Sequence, residues 1–503
     1  MVEVEEEELP ICGEIVPENE AKKEICDCVY VPIRWFRMLA REMHWSFVFG
    51  VVVTYGISQG LGGALNKVGT QYYMKDVQKV QPSEAQVYSG ITTIPWIVKP
   101  IWGILTDVVP ILGYHRRPYF ILAGAIGVIS MLFLSLDEDL HIFFALLALT
   151  AGSASVAIAD VTIDACVAQK SGTHPLIASD MQSLCALSSS IGALVGYSFS
   201  GILVHLIGPV GVLGLLAIPS GLVLIVGVVL NESHGPDFSC SQVNEKFISL
   251  CKSMWTTLAC PEVWRPCLYM YLSLALSINI YEGMFYWLTD ATDGPSFSKA
   301  TIGYIYSIGA VGSFLGAILY QYGLKDYPFR KLCFWTQLLL AVSGMLDLFL
   351  VLRLNLKFGI PDYLFVVIDK CVSEMIARLK WMPILVLSSK LCPPGIEGTL
   401  FALFMSIDNA GVLSGSWGGG LLLHVLNVTR TKFDKLWLVI LIRNLLRVSP
   451  LCLLFLIPGG DPNAALLPTD ILDTEEGESP ETESIELAFL ADNGDGKSAT
   501  LHS

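Results

Sequence analysis

Apolar runs of about 20 residues recur along the whole chain and alternate with shorter polar segments. Each run is long enough to cross about 30 Å of hydrocarbon as an α-helix, which satisfies its own backbone hydrogen bonds there. The pattern therefore predicts an all-α, polytopic membrane protein. Its twelve predicted spans lie near residues 45–65, 86–106, 118–136, 141–166, 177–206, 210–230, 264–288, 300–322, 331–352, 361–389, 398–426 and 436–457.

The longest polar gap, residues 231–263, divides the spans into six and six. We expect two six-helix halves, 44–230 and 264–457, joined by this cytoplasmic loop, with acidic tails at 1–43 and 458–503. An even number of spans places both tails on one side, and the Lys and Arg residues of the loops on that side predict cytoplasmic termini. These basic residues are Arg34, Arg37, Arg41, Arg116, Arg117, Lys325, Arg330 and Lys331, against Arg430, Lys432 and Lys435 in a loop assigned outside.

Composition agrees with a membrane protein, because 53% of the residues are hydrophobic and only 15% are charged. The net charge of −15 comes from the two ends: residues 1–28 hold ten acidic side chains and residues 458–503 hold eleven, against three lysines in all. Such acidic, apolar-poor tails are predicted to be disordered and solvated. The 13 cysteines are scattered without the spacing of a metal site, and we interpret them as packed thiols.

The two predicted halves repeat one another at fixed offsets. The matched pairs are Gly192 and Gly411, Gly196 and Gly415, Gly201 and Gly420, Pro175 and Pro394, and His205 and His424 at an offset of 219 residues, and Gly90 and Gly303, Gly103 and Gly316, and Arg117 and Arg330 at an offset of 213. Small residues at fixed positions allow helices to approach closely. A duplicated six-helix unit of this kind is typical of transporters that bind their substrate at the midplane, between two halves.

A charge latch is predicted between spans 2 and 3. Gly103 and Asp107 end one span, and Arg116 and Arg117 precede the next. An acid and two arginines can pair across this short turn and hold two helices together at the membrane surface. The order, with the glycine first and the basic pair last, resembles the way in which major facilitator transporters fasten helices 2 and 3. At the offset of 213, Asp107 falls on Tyr320, so the acidic latch is predicted in the first half only.

Ionisable side chains inside predicted spans are the candidate functional residues, because a charge in hydrocarbon is costly unless it faces the bundle interior and finds a partner. Asp160 and Asp164 in span 4 are four residues apart and therefore share one helix face. Such a carboxylate pair suits proton uptake or a substrate that donates hydrogen bonds. Alternatively, one of the two pairs with a basic neighbour and only holds helices together. Lys99 in span 2 needs a carboxylate partner, and we expect Asp160 or Asp164.

Span 10 carries Lys370, Glu374 and Arg378 at a spacing of four, which forms a mixed-charge stripe. One interpretation is internal pairing that lowers the cost of burial. In the other, Arg378 offers its planar guanidinium to a substrate carboxylate while Glu374 holds it in place. Glu282 in span 7 and Asp408 in span 11 complete the predicted polar lining.

No motif of an enzyme or of an ATP-driven pump is found. The sequence lacks a Gly-x-x-x-x-Gly-Lys phosphate loop and a His-Glu-x-x-His zinc motif. We therefore predict a gradient-driven carrier that is not an enzyme, needs no cofactor or metal and binds no nucleic acid. The amino terminus is acidic and resembles neither a secretory signal nor a transit peptide. We expect the plasma membrane or an internal membrane such as the vacuolar one, rather than the chloroplast.

Three segments support a more specific assignment: 103–119 reads GILTDVVPILGYHRRPY, 159–165 reads ADVTIDA and 391–402 reads LCPPGIEGTLFA. They resemble the folate–biopterin transporters of plants, cyanobacteria and trypanosomatids, a family of the major facilitator superfamily, and the resemblance covers roughly residues 40–458. It implies transport of folates or pterins with protons as the coupling ion. On this basis Asp164 is expected to accept hydrogen bonds from the pteridine ring, and Arg378 or Lys370 to pair with the carboxylates of the folate tail.

Two other functions fit the same pattern. One is a carrier of another small organic anion, because one fold hosts many substrates. The other is a non-transporting membrane receptor or scaffold whose acidic tails bind partners. Buried charges in both halves argue against a scaffold, which has little reason to keep costly residues at midspan. A substrate panel distinguishes the first alternative from folate transport.

Overall fold

The computed structural model describes residues 34–459 apart from 138, 233, 235–247, 249–251, 253, 291 and 393–396. Regular structure in this part of the chain is helical, save for an isolated bridge between Ile111 and Tyr114. Residues 1–33 and 460–503 of the predicted tails, most of the central loop and Pro394 of the repeat lie outside the described residues.

Helices occupy each of the twelve predicted spans, and we number them α1 to α12. Along the chain they are α1 Trp45–Val77, α2 Pro82–Ile91, Ile94–Ile97 and Lys99–Val108, α3 Arg117–Leu136, α4 Ile142–Thr173, α5 178–207, α6 209–229, α7 Pro261–Ala275 and Tyr281–Leu288, α8 Lys299–Leu324, α9 Phe329–Val351, α10 Asp362–Lys390, α11 Glu397–Val425, and α12 Leu436–Leu446 and Ser449–Leu456. In the described residues, seven helical stretches are long and apolar enough to cross a membrane. The predicted all-α, polytopic membrane fold is confirmed.

A single residue connects α5 to α6. Gly208 has φ +73° and ψ 167°, and the next helix starts at Pro209. An L side chain rarely adopts a positive φ, so glycine is required at this turn, and proline is pre-organised for the first turn of a helix. The two helices therefore form one uninterrupted apolar stretch, Ala178–Val229, that reverses direction at its middle.

The helices α5 and α11 occupy matching places in the two halves. A Cβ atom at Gly196 of α5 would lie 2.7 Å from the carbonyl oxygen of Leu61 in α1. One at Gly415 of α11 would lie 2.9 Å from the carbonyl oxygen of Leu274 in α7. Real side chains do not approach backbone that closely, so only glycine permits these contacts. The sequence repeat thus corresponds to a repeated contact between the fifth and the first helix of each half.

The same two helices also join the halves to each other. Gly201 of α5 meets the backbone of Lys299 at the start of α8, and Gly303 of α8 faces the backbone of α5 in return. On the other side, a Cβ at Gly420 of α11 would lie 2.9 Å from the carbonyl oxygen of Ser83 in α2. Two seams, α5 with α8 and α11 with α2, therefore connect the halves through small residues, as expected for helix packing in lipid.

One arginine in each half ties the third helix to the sixth. Arg117 Nη2 donates to the carbonyl oxygen of Val228 in α6 at 2.7 Å. Arg330 Nη2, at the start of α9, donates to the carbonyl oxygen of Ile457 after α12 at 2.5 Å. Carbonyl groups at the ends of helices lack intrahelical partners, so a guanidinium group satisfies them well. The aligned arginines make equivalent contacts in the two halves.

The predicted latch ion pair forms between Asp107 and Arg116. Arg116 Nη2 lies 2.6 Å from Asp107 Oδ1. Glu232, which the sequence analysis did not single out, accepts hydrogen bonds from the backbone N–H groups of residues 115–117. Gly103 has room for a methyl group against α4, so close helix contact does not explain that glycine. A role of these residues in gating stays a prediction.

We expect Gly196→Ala to lower the thermal midpoint of the detergent-solubilised protein, because the methyl group would collide with backbone of α1. Overpacking of this kind costs about 1–3 kcal/mol. Gly63→Ala is the matched control, since Gly63 is also helical and a Cβ there meets nothing within 4 Å. Alanine at that position is expected to leave the midpoint unchanged or to raise it. Equal midpoints for the two variants, measured by intrinsic fluorescence on heating, would contradict the close contact between α5 and α1.

Candidate functional site

A cavity of about 250 Å³ lies between the two halves. Its walls come from α1, α2 and α4 of the first half and from the second segment of α7. Lys67 of α1 and Glu282 of α7 line it, together with the amide side chains of Asn66, Gln71 and Gln86. Of these five residues, only Glu282 is predicted as a site residue from the sequence.

Breaks in two helices shape this cavity. The helix α2 is interrupted twice between residues 92 and 98, and α7 stops at residue 275 and resumes at 281. In the α7 break, the backbone N–H of Asn279 donates to the carbonyl oxygen of Gly415 at 3.1 Å. Gly419 faces the carbonyl of Asn279 so closely that no side chain fits there. Discontinuous helices at the midplane are a common device for placing polar groups in a transport site.

Glu282 joins the halves through a hydrogen-bonded chain. Its backbone N–H donates to Gln86 Oε1 at 3.0 Å, and its Oε1 accepts from Gln71 Nε2 at 3.3 Å. Gln71 Oε1 accepts in turn from the hydroxyl of Tyr306 in α8 at 3.0 Å. The second carboxylate oxygen of Glu282 is buried, and no described residue forms a hydrogen bond with it. A buried polar atom without a partner costs about 1–3 kcal/mol.

Lys67 lies in a cage of tyrosine rings. Its Nζ is 5.1 Å from the ring centroid of Tyr306, 5.7 Å from that of Tyr281 and 6.0 Å from that of Tyr197. Each ring face attracts the ammonium group. Among the described residues, no carboxylate lies within 4 Å of Lys67 Nζ. The side chain is exposed to the space inside the bundle.

A second charged cluster lies within the first half, on α1, α2 and α4. Lys99 Nζ is 2.5 Å from Asp160 and 3.2 Å from Asp164. Lys99 therefore pairs with both of the carboxylates that were expected as its partner. Gln59 Nε2 donates to Asp160 at 2.6 Å, and the Tyr55 hydroxyl donates to Asp164. Asp160 is buried, whereas 43% of the Asp164 side chain is exposed. Asp164 is therefore the carboxylate of this cluster that water can reach.

The backbone of α1 is widened where it meets this cluster. Residues Val52–Gly62 form π-type hydrogen bonds, and Tyr55 and Gln59 both lie in this stretch. Such bulges are rare inside helices and occur often at functional sites. The widened stretch places two hydrogen-bond donors of α1 on the two carboxylates of α4.

The stripe on α10 pairs only in part as expected. Lys370 Nζ lies 2.6 Å from Glu374 Oε1, and it also faces the rings of Tyr281 and Tyr306. Within the described residues, no ion pair or hydrogen bond joins Glu374 to Arg378. The guanidinium group of Arg378 instead lies 5.1 Å from the ring centroid of Trp381. No direct contact of Glu374 orients Arg378 in this conformation, and a contact of Arg378 with a substrate carboxylate stays a prediction.

Asp408 lies apart from both clusters. It is 6% exposed, and neither carboxylate oxygen has a hydrogen-bond partner among the described residues. Lys380 of α10 is equally buried and donates to the carbonyl oxygen of Ser273 at 3.3 Å. Asp408 is not among the described residues that line the cavity between the halves. Its predicted part in a common polar lining is not supported by this geometry.

Polar contacts between the halves cluster at the end of the cavity near loop 78–81. They connect α1 and loop 78–81 of the first half with α7, α8 and the loop between them in the second. The predicted topology places this end of the bundle outside. The contacts are Lys75 Nζ to Thr289 Oγ1 at 2.5 Å, Lys299 Nζ to Asp76 Oδ2 at 3.5 Å, and the Tyr286 hydroxyl to the Val80 carbonyl oxygen at 3.1 Å. The halves are therefore tied together at this end.

Sequence reasoning missed Lys67 and Gln71 because it ended the first span at residue 65. The helix α1 in fact continues to Val77. The signal was present, since no proline lies between residues 66 and 77 and the only glycine is Gly69. That glycine packs against α6, where a Cβ would lie 3.2 Å from Val212. A polar helix that lines a cavity does not look like a membrane span by apolarity alone.

Known proteins resemble this chain over nearly its whole length. "Probable folate-biopterin transporter 2" of Arabidopsis thaliana is 63% identical over 92% of this chain and 94% of its own length. "Probable folate-biopterin transporter 5" of the same plant is 57% identical over 94% of this chain and 96% of its own. These relatives are named transporters, which confirms the prediction that the chain is not an enzyme.

Solved structures support the fold. The nucleoside transporter NupG aligns with a TM-score of 0.60 over 81% of this chain and 98% of its own, at 15% identity. At that identity the likeness shows the fold alone, and it confirms the major facilitator architecture of two six-helix halves.

The family model described as BT1 family matches residues 59–470. This integral membrane protein therefore belongs to the BT1 family, and the two plant relatives that it resembles are named probable folate–biopterin transporters.

Proposed function

We propose that this protein is a secondary-active transporter of folates and pterins that couples their movement to protons by alternating access. Two similar plant proteins carry that substrate in their names, and their alignments cover more than nine-tenths of this chain. The observation that carries the proposal is the polar cavity between the halves, which is lined by a cation and a carboxylate of two membrane helices. Such side chains are retained in a membrane chiefly on substrate and ion pathways.

The cluster around Lys99 is our candidate for proton coupling. One ammonium group faces two carboxylates, so the cluster carries one excess negative charge when both are ionised. A proton on Asp164 removes that excess and weakens its attraction to Lys99. The contact between α2 and α4 then depends on protonation, which links proton binding to helix movement.

Two kinds of contact between the halves support the proposed alternating access. The glycine seams, α5 with α8 and α11 with α2, permit small rocking movements because backbone slides on backbone. The polar contacts near loop 78–81 are individually weak and can open as one set. We place this end outside and both termini in the cytoplasm, so the present arrangement is closed toward the outside.

The transport test uses purified protein in proteoliposomes. We expect saturable uptake of labelled folic acid, 5-formyltetrahydrofolate and biopterin, and we expect an inward proton gradient to increase it. The same protein with a proton ionophore present is the control for the gradient. Absence of uptake of all three by protein shown to be folded and inserted would favour a carrier of another organic anion.

We expect Asp164→Asn to remove the stimulation of uptake by the proton gradient, because the amide resembles the protonated carboxyl and cannot release a proton. Exchange of labelled for unlabelled substrate needs no net proton movement. We expect its rate to remain within about threefold of wild type, which is a smaller change than the tenfold that 1.4 kcal/mol of free energy produces. Asp326→Asn, which changes an exposed carboxylate between α8 and α9, is the matched control. Uptake by Asp164→Asn that still rises with the gradient would exclude Asp164 as the coupling group.

A further inference from the structure

The free oxygen of Glu282 marks one pole of the cavity. This carboxylate is 7% exposed, its Oε1 is held by Gln71, and its Oε2 is buried without a hydrogen-bond partner among the described residues. Glu282 lines the cavity at the first turn of the resumed helix Tyr281–Leu288. A ligand group with two adjacent N–H donors would satisfy the carboxylate in the way that a guanidinium group does.

Lys67 marks the opposite kind of pole in the same cavity. Its ammonium group is held by aromatic rings and not by a carboxylate within the described residues. Lys370 faces the same two rings, Tyr281 and Tyr306, but Glu374 neutralises it at 2.6 Å. Of these two lysines, Lys67 is therefore the one whose charge is available to an anionic ligand.

Tyr281 connects the two poles. It directly precedes Glu282 in the chain, its ring lies beneath Lys67, and it is 51% exposed although the six residues after it are buried. The exposed part of this ring offers a flat ligand ring an aromatic contact beside Lys67. The cavity thus presents an acceptor, a flat surface and a cation to one ligand.

We propose that Glu282 binds the pterin ring and that Lys67 binds the carboxylate of the substrate tail, an inference that rests on the proposed function. The ring edge carries an amino group and a neighbouring ring N–H, which match the two oxygens of a carboxylate. The tail of a folate carries carboxylates, which match an ammonium group, whereas biopterin has no carboxylate. One site therefore accepts both substrate types, with two poles occupied by folate and one by biopterin.

The assignment replaces the expected ring contact of Asp164 and the expected tail contact of Lys370 or Arg378. Asp164 is engaged with Lys99 and Tyr55, and Lys370 is engaged with Glu374. Arg378 packs on Trp381. Glu282 and Lys67 are the two charged side chains that line the cavity itself.

Equilibrium binding of three probes to the purified full-length protein tests both poles. The probes are folic acid, which has the ring and the tail, biopterin, which has the ring only, and p-aminobenzoylglutamate, which has the tail only. We expect Lys67→Gln to weaken folic acid and p-aminobenzoylglutamate at least tenfold and to leave biopterin within twofold. We expect Glu282→Gln to weaken folic acid and biopterin at least tenfold and to leave p-aminobenzoylglutamate within twofold.

Each variant thus retains one probe, and that binding shows that the variant is folded. Lys67→Arg, which keeps the charge, is expected to restore most of the tail affinity. The double variant Lys370→Gln, Glu374→Gln removes a neutral ion pair from the neighbouring wall and is expected to leave the affinity pattern unchanged.

Equal losses of all three probes in both variants would overturn the two-pole assignment, as would unchanged binding. These outcomes are distinguishable from failure of the proposed function, because binding is measured without transport. If wild-type protein binds the probes in the expected pattern but transports none, the poles stand and the transport proposal fails. If wild-type protein binds none of the three, both proposals fail.

Discussion

The cost of placing a charge within hydrocarbon governs this structure. An ionisable side chain at midspan is tolerated when it faces the bundle interior and finds a partner. Lys99 meets this condition between two carboxylates of α4, Lys370 meets it one turn away on its own helix, and Arg443 of α12 meets it 2.7 Å from Asp347 of α9. The pairs of Lys99 and Arg443 therefore restrict how their helices pack against a neighbour, whereas the Lys370 pair lies within one helix. Lys67 is different, because its ammonium group lies against three tyrosine rings and no carboxylate of the described residues is within 4 Å of it.

Small residues and charged residues divide the packing between them. Glycines of α5 and α11 set how closely the helices approach, because they lie directly against neighbouring backbone. Ion pairs and hydrogen bonds hold particular atoms of the two halves together near loop 78–81. A transporter needs both kinds of contact: a seam that tolerates movement and a set of bonds that distinguishes two states.

The two halves share their backbone contacts but not their chemistry. Arg117 and Arg330 bind helix ends in the same way, and Gly196 and Gly415 make the same close approach. The Asp107–Arg116 latch and the cluster around Lys99 belong to the first half, whereas the Lys370–Glu374 pair belongs to the second. Duplication accounts for the scaffold, and later divergence accounts for a site in which each half supplies different groups.

The sequence alone determined the helical membrane fold, the internal repeat, the family and the Lys99 partners, because apolar run length, glycine spacing and helix periodicity are local properties. It did not locate the cavity. Lys67 and Glu282 are 215 positions apart in the chain and belong to different halves, and Lys67 lay beyond the apolar run that predicted its helix. Arg378 and Asp408 carried the same sequence signal as Glu282 but are not among the described residues that line the cavity. Which charged residue faces the substrate is decided by how the helices pack, since burial and neighbours across the two halves exist only in the folded structure.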